Sequence, residues 1–192
     1  MNKQEFLRRF HHIRSIDAEI DFPLESKGRE AAVLIPLIEE GNQLSVLLTE
    51  RAHHLKHHAG QVSFPGGKVE SSDASIQHTA ARETFEEIGI PQQNIQWLGN
   101  IGKYRTVTGY EITPLIGFVH PPFDIVMNDN EVASVFQVPL CELCNLANHY
   151  VYPVQRMGLT QTLYFIRYQR YTIWGATAAI IRNLSYHLYD NK

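Results

Sequence analysis

Three glutamates, Glu83, Glu86 and Glu87, lie in the run Arg82-Glu83-Thr84-Phe85-Glu86-Glu87-Ile88-Gly89-Ile90. On a helix, residues three and four apart are neighbours, and like charges there repel by about 0.2–0.5 kcal/mol per pair. A divalent cation would offset that repulsion, whereas without one the triplet is simply a solvated acidic face. Oxygen-only donors suit Mg²⁺ or Mn²⁺, which accept carboxylates, water and substrate phosphates. The acidic cluster therefore asks what anionic substrate could complete such a site.

Ahead of the cluster stand Phe64-Pro65-Gly66-Gly67, then Asp73, then about two turns of sequence running into Arg82. This ordered set resembles the Nudix box, in which Gly, a Glu and an Arg-Glu-apolar-x-Glu-Glu-x-Gly-apolar run follow at fixed spacing. Gly67, Arg82, Glu83, Glu86, Glu87, Gly89 and Ile90 match. Asp73 stands for the first Glu, with eight rather than seven residues before Arg82, and Thr84 occupies an apolar position. The extra residue also occurs in the coenzyme A pyrophosphatase subgroup. That subgroup carries a second motif, Leu-Leu-Thr-x-Arg-(Ser/Thr)-x3-Arg-x3-Gly-x3-Phe-Pro-Gly-Gly. Here Leu47, Leu48, Thr49, Arg51, Gly60 and Phe64 to Gly67 keep every spacing, with Ala52 for the hydroxyl residue and Lys56 for the second Arg. Lysine keeps the charge but loses the bidentate fork.

The resemblance extends over roughly residues 30 to 185 and implies an α/β fold, a Nudix-type α/β/α sandwich with a mixed central sheet. It implies a Mg²⁺- or Mn²⁺-dependent enzyme that hydrolyses the diphosphate of coenzyme A or its thioesters. The products would be adenosine 3',5'-bisphosphate and 4'-phosphopantetheine or its acyl derivative. Glu83, Glu86 and Glu87 are the expected metal ligands, and Glu87 or Glu131 the candidate general base. Arg51 and Lys56 are expected to meet the substrate phosphates, and Gly66 and Gly67 to let the backbone turn closely around the site. Arg82 is expected to orient a box glutamate. The same box also suits ADP-ribose or NADH as substrate, and a third reading is a nucleotide-binding module without turnover.

These residues need a scaffold. Ala31 to Ile38 and Gln43 to Thr49 read as strands joined by Glu39-Glu40-Gly41-Asn42, and further strands are expected at 95–102, 111–119 and 132–138. Helices are expected at about 2–13, with Phe6, Phe10 and Ile13 on one face, and at about 172–189, with Trp174, Thr177, Ile181, Leu184 and Leu188 buried. On the helix of the box, 67–90, Asp73 is the expected N-cap and Gly89 the terminator. Ile76, Ala80, Thr84 and Ile88 recur every four residues, with Ala81 and Phe85 widening the stripe that faces the sheet. At about 100° per residue, Glu83 and Glu87 fall beside that stripe and Glu86 points farther toward solvent.

The bulk composition permits this reading. At 192 residues and 44% apolar the chain can bury a core, and one domain over 1–192 is the simplest division. A net charge of -3 gives no general attraction to nucleic acid. No apolar run approaches the roughly 18 residues that span a bilayer, and the polar start is unlike a signal peptide, so a cytoplasmic protein is expected; the small-molecule nucleotide substrate is what the resemblance implies. Composition leaves the oligomeric state open. Cys141 and Cys144 form a lone Cys-x-x-Cys, open to a redox or zinc role with His149 nearby, or to burial as small apolar residues. The run from His53 to His58 is open to metal binding or to donating hydrogen bonds to phosphate.

Overall fold

A computed structural model describes residues 1–12, 19, 22, 27–156 and 158–189. Eleven strands and four α-helices occur among them. The strands are β1 (Arg29–Glu40), β2 (Gln43–Arg51), β3 (Val62–Ser63), β4 (Gly66–Lys68), β5 (Ile95–Asn100), β6 (Tyr104–Arg105), β7 (Tyr110–Val119), β8 (Val132–Pro139), β9 (His149–Arg156), β10 (Leu159–Tyr168) and β11 (Tyr171–Trp174). The helices are α1 (Lys3–Phe10), α2 (Ile76–Ile88), α3 (Leu140–Leu143) and α4 (Ala176–Leu188).

The main sheet runs β3-β2-β1-β7-β5, with β4 on β1, β6 on β7 and β8 on β2. It is mixed: β1 and β7 are parallel, while β1 pairs antiparallel with β2 and with β4. Period-two alternation sorts the apolar side chains of its central strands onto two faces. Leu34, Leu47 and Leu115 pack with Ala80, Ala81 and Ile88 of α2. Ile35, Leu48 and Ile116 pack with Phe6 of α1 and with Ile181 and Leu184 of α4. Both faces being covered explains the near-continuous apolar runs of β1 and β2, and gives the α/β/α sandwich expected from the motifs. The β1–β2 connection turns at Gly41, whose φ is 62°.

Several expected boundaries change. The first helix is Lys3–Phe10, opened by Asn2, whose side chain accepts from Glu5 N at 2.9 Å; Ile13 lies outside the described residues. The helix expected at 172–189 is shorter, because Tyr171–Trp174 is strand and Gly175, at φ 64°, separates it from α4. Trp174 therefore sits on a strand, 38% exposed, rather than buried on a helix, while Thr177, Ile181, Leu184 and Leu188 are buried as expected. Strands β9, β10 and β11 form a separate antiparallel sheet that was not anticipated. Among the described residues no helix is long and apolar enough to cross a membrane.

Candidate active site

Helix α2 starts at Ser75, whose side chain accepts from His78 N at 3.1 Å, so Asp73 is not its N-cap. Asp73 receives Arg82 instead. Arg82 Nε donates to Oδ1 at 3.0 Å and Nη2 to Oδ2 at 3.2 Å. Thr79 Oγ1 and the Glu70 N–H add bonds to Oδ2 at 2.8 and 2.9 Å. The guanidinium beside Asp73 holds its carboxyl well below the usual carboxylate range. Arg82 Nη1 in turn lies 3.0 Å from Glu83 Oε1 and 3.0 Å from Glu86 Oε2. One arginine thus bridges a buried aspartate to two glutamates of the box.

The buried arc of α2 comprises Thr79, Ala80, Ala81, Thr84, Glu87 and Ile88. It is rotated toward Glu87 relative to the expected stripe, which leaves Phe85 57% exposed and corrects its placement against the sheet. Glu87 is 4% exposed, the Glu83 side chain 16% and that of Glu86 51%. The gradient matches the angular placement of the three carboxylates. Burial pushes the Glu87 carboxyl up to about 8, with the Glu83 charge adding to the shift and Arg51 opposing it. Burial also raises Glu83, against the pull of Arg82.

Two glycines permit close approach here, Gly66 to the β1 backbone and Gly67 to a carboxylate of the box. Strand β4 pairs with β1, Gly66 opposite Val33 and Gly67 opposite Ala32. A Cβ on Gly66, at φ 153°, would stand 2.3 Å from the Ala32 carbonyl oxygen; one on Gly67 would stand 2.4 Å from the Glu83 carboxyl carbon. The space where Gly67 lacks a side chain is filled by Glu83. Glu131 joins from the loop before β8. Asn128 N donates to Glu87 O at 2.9 Å, Glu131 N to Asn128 O at 2.8 Å, and Asn128 Nδ2 to Glu131 Oε1 at 3.5 Å. The charge of Glu131 raises both Glu83 and Glu87, so three carboxylates interact across two elements.

Arg51, at the end of β2, faces this group electrostatically, and its buried Nε has no partner. Lys56 is exposed in the following loop and makes no described contact with the glutamates. Glu87 Oε2 is likewise buried without a hydrogen-bond partner. Among the described residues, no three His, Cys, Asp or Glu side chains already converge tightly enough to hold an ion, and Glu83 and Glu86 both contact Arg82. An unpartnered buried carboxylate oxygen, a crowded all-oxygen donor set and proton affinities raised by burial and crowding nevertheless fit a divalent cation.

The other metal candidates do not converge on one point among the described residues. Cys141 is exposed and Cys144 buried, both free thiols, and burial pushes Cys144 up to about 12. His149 Nε2 donates to the Leu143 carbonyl at 2.8 Å while Nδ1 faces Arg182. Of the histidine run, His58 Nδ1 meets Gln61 Oε1 at 2.5 Å and His53 Nε2 lies 3.8 Å from Glu50 Oε1. Sequence reading missed the role of Asp73 as the anchor of Arg82. Its signal was the position of a carboxylate where the box has Glu.

Residues 28–152 match the model of the NUDIX domain. The chain is 42% identical over 157 residues to a protein of Enterobacter sp. (strain 638) named "Uncharacterized Nudix hydrolase NudL", covering 82% of this chain and 81% of the relative. A protein of the same name from Citrobacter koseri is 38% identical over 182 residues, covering 94% and 92%. Among solved structures, a Nudix hydrolase from M. smegmatis, RenU, superposes with a TM-score of 0.50 at 24% identity, covering 59% of this chain and 72% of that one. At that identity the likeness concerns the fold.

Proposed function

The chain belongs to the NUDIX family, and from that membership we propose that it hydrolyses the diphosphate bond of coenzyme A or its thioesters. The products are adenosine 3',5'-bisphosphate and 4'-phosphopantetheine or its acyl derivative. The wider class is plain: this is a Nudix hydrolase of nucleoside diphosphate derivatives, and such enzymes generally require divalent metal ions. The finer assignment is supported by the motif from Leu47 to Gly67, which leads without a gap into the box.

The observation that carries the reading is the buried, unpartnered Oε2 of Glu87, surrounded by Glu83 and Glu131 and opposed by Arg51. Glu83, Glu86 and Glu87 would hold Mg²⁺ or Mn²⁺. When bound, the metal neutralises charge on the diphosphate oxygens and acidifies the attacking water. Arg51 supplies a fixed positive charge for a phosphate, and Lys56 a mobile one from the exposed loop. Glu131, tied to the end of α2 through Asn128, would accept the proton of the water, with Glu87 as the other candidate base. Arg82 does not need to touch substrate; it positions Glu83 and Glu86.

The test incubates the purified protein with coenzyme A, ADP-ribose and NADH, each with Mg²⁺, Mn²⁺ or chelator, beside Glu87→Gln. Metal-dependent release of adenosine 3',5'-bisphosphate, lost in the variant, supports the proposal. Faster cleavage of ADP-ribose or NADH would keep the mechanism and replace the substrate.

A further inference from the structure

A cavity of about 460 Å³ is lined by Glu50, Gly60, Phe165, Arg170, Tyr171 and Trp174 among others. It opens at the same end of β2 as the glutamate cluster but across the sheet. Val46 and Leu48 point into the core beneath α4, and Leu47 into the core beneath α2. Alternation along the strand therefore sends Glu50 to the α4 side and Arg51 toward Glu87.

The walls are aromatic. Phe165 and Trp174 are opposite partners on β10 and β11, with ring planes 14° apart and centroids separated by 6.4 Å. Both stand on the side of the small sheet that faces away from its buried residues Tyr164, Ile166, Tyr171 and Ile173, so the cavity wraps the free edge of β11, with Tyr171 on its inner side and Trp174 on its outer side. Tyr171 is stacked face to face on Phe136 at 3.6 Å, and its hydroxyl is held by Arg170 Nη2 at 2.9 Å, so this part of the wall is fixed. Glu50 brings the polar group. Its Oε2 accepts from Ser134 Oγ at 2.8 Å, while Oε1 has His53 Nε2 at 3.8 Å, beyond hydrogen-bond reach, and no donor among the described residues.

We propose that this cavity is the base subsite, in which Trp174 and Phe165 offer stacking faces and the free Glu50 oxygen accepts from the exocyclic amine of an adenine-type purine. The inference rests on the reading of the substrate as an adenine nucleotide derivative. Aromatic faces are tolerant of base identity, so discrimination falls to Glu50. A carboxylate attracts an amino group and repels the carbonyl oxygen that hypoxanthine presents at the same ring position, the kind of buried polar mismatch that separates near-isosteres. Because Glu50 and Arg51 are adjacent, a substrate whose base enters here passes its diphosphate around the end of β2, over Gly60, toward the glutamates. The small sheet β9–β11 then has a task, to supply two walls of the subsite.

The experiment uses the full chain in chelator, so that no turnover occurs. The chain has two tryptophans, Trp97 and Trp174, and a Trp97→Phe background leaves Trp174 as the fluorophore. Titration with AMP should quench it saturably, with IMP binding at least about 10-fold more weakly. Glu50→Gln should bring the two nucleotides within about 3-fold, and Phe165→Leu should weaken AMP by about 10-fold, with circular dichroism confirming that each variant is folded. Equal quenching by AMP and IMP, no quenching, or an unchanged ratio in Glu50→Gln would overturn the subsite and leave Phe165 and Trp174 as a cross-strand pair that merely stabilises the hairpin. Coenzyme A hydrolysis separates the two readings. Cleavage with an unaltered KM in Phe165→Leu and Glu50→Gln removes the base subsite but keeps the substrate, whereas discriminating AMP binding without coenzyme A cleavage keeps the subsite and removes the substrate.

Discussion

Arg82 grips Asp73 at two points, Nε on Oδ1 and Nη2 on Oδ2, while its Nη1 reaches Glu83 and Glu86. The Asp73 side chain is fully withdrawn from solvent. A carboxylate outside the cluster therefore sets where two carboxylates inside it stand. Aspartate is one methylene shorter than the glutamate of the usual box, and the connection to Arg82 is one residue longer.

Asp73→Asn should lower kcat by about 10- to 100-fold, the usual effect of removing a group that orients metal ligands. It should destabilise the fold by about 2 kcal/mol, because Arg82 loses a charged partner. Since Arg82 holds the Asp73 carboxyl below its ordinary value of 3.8, its contribution is complete above that value and fades as pH falls toward the lowered one. Urea unfolding of both proteins at pH 7 and near pH 3 checks this. The stability gap should narrow at the lower pH, and a constant gap would show that the ion pair is not its source.

How much of this could be read from the chain depended on the kind of signal. The central strands were legible because burial on both faces leaves long apolar runs, as in β1 and β7. The acidic cluster was legible because spacing on a helix fixes angle, which ordered Glu87, Glu83 and Glu86 by burial. Phe85 falls outside the buried arc because that arc is set by tertiary packing rather than by spacing alone, and it turns toward Glu87. Asp73 reads as a cap from sequence because capping is a local rule, and the partner that overrides it lies nine residues away. The sheet β9–β11 was missed because its segments mix exposed residues such as Tyr150 and Tyr152 with buried ones, and because Tyr171–Trp174 runs directly into a helix.

Gly66 and Gly67 should fail differently. Gly66→Ala places a Cβ against backbone, the Ala32 oxygen at 2.3 Å and Val33 Cα at 2.6 Å, which cannot move without breaking the β4–β1 pairing. A loss of about 2–4 kcal/mol in stability is expected. Gly67→Ala instead strikes the Glu83 carboxylate, the far end of a side chain that can swing aside. Its melting temperature should stay within a few degrees while kcat falls by about 100-fold. Thermal melts and steady-state rates on the two variants decide it; equal losses of stability would sink the distinction.

Arg51 and Glu131 act on Glu87 with opposite electrostatic sign, and the proposed function gives them opposite tasks. Arg51→Ala should mainly raise KM, by about 10-fold or more, because a phosphate loses a fixed charge made in ground and transition states alike. Glu131→Gln should leave KM near its original value and lower kcat by about 100-fold, the range for a lost general base. Should Glu131→Gln retain full kcat while Glu87→Gln abolishes it, the base is Glu87. Saturation kinetics with coenzyme A and Mg²⁺ give both numbers for each variant.

His149 should make the fold sensitive to mild acid. The residue is 8% exposed, with Nε2 donating to the Leu143 carbonyl at 2.8 Å and Nδ1 accepting from Arg182 Nη1 at 3.4 Å. The carbonyl and the guanidinium together select the neutral tautomer with the proton on Nε2. Glu19 faces the same pocket, but its carboxylate is engaged by Arg182 Nε at 2.7 Å and Tyr186 Oη at 2.8 Å. Burial therefore holds the imidazole below its ordinary value of 6.5, and the Arg182 charge adds to the effect. In the unfolded chain the same ring takes up a proton as pH falls through 6.5. The stability it confers is present above that pH and is lost below it, down to the lowered value, with a slope of at most about 1.4 kcal/mol per pH unit. His149→Gln keeps a donor for the Leu143 carbonyl without titrating. Urea unfolding in chelator at pH 7.5, 6.5 and 5.5 should show the unsubstituted protein falling more steeply than the variant between the last two points. Parallel curves would mean that His149 is protonated inside the fold and that Glu19, rather than burial, governs it.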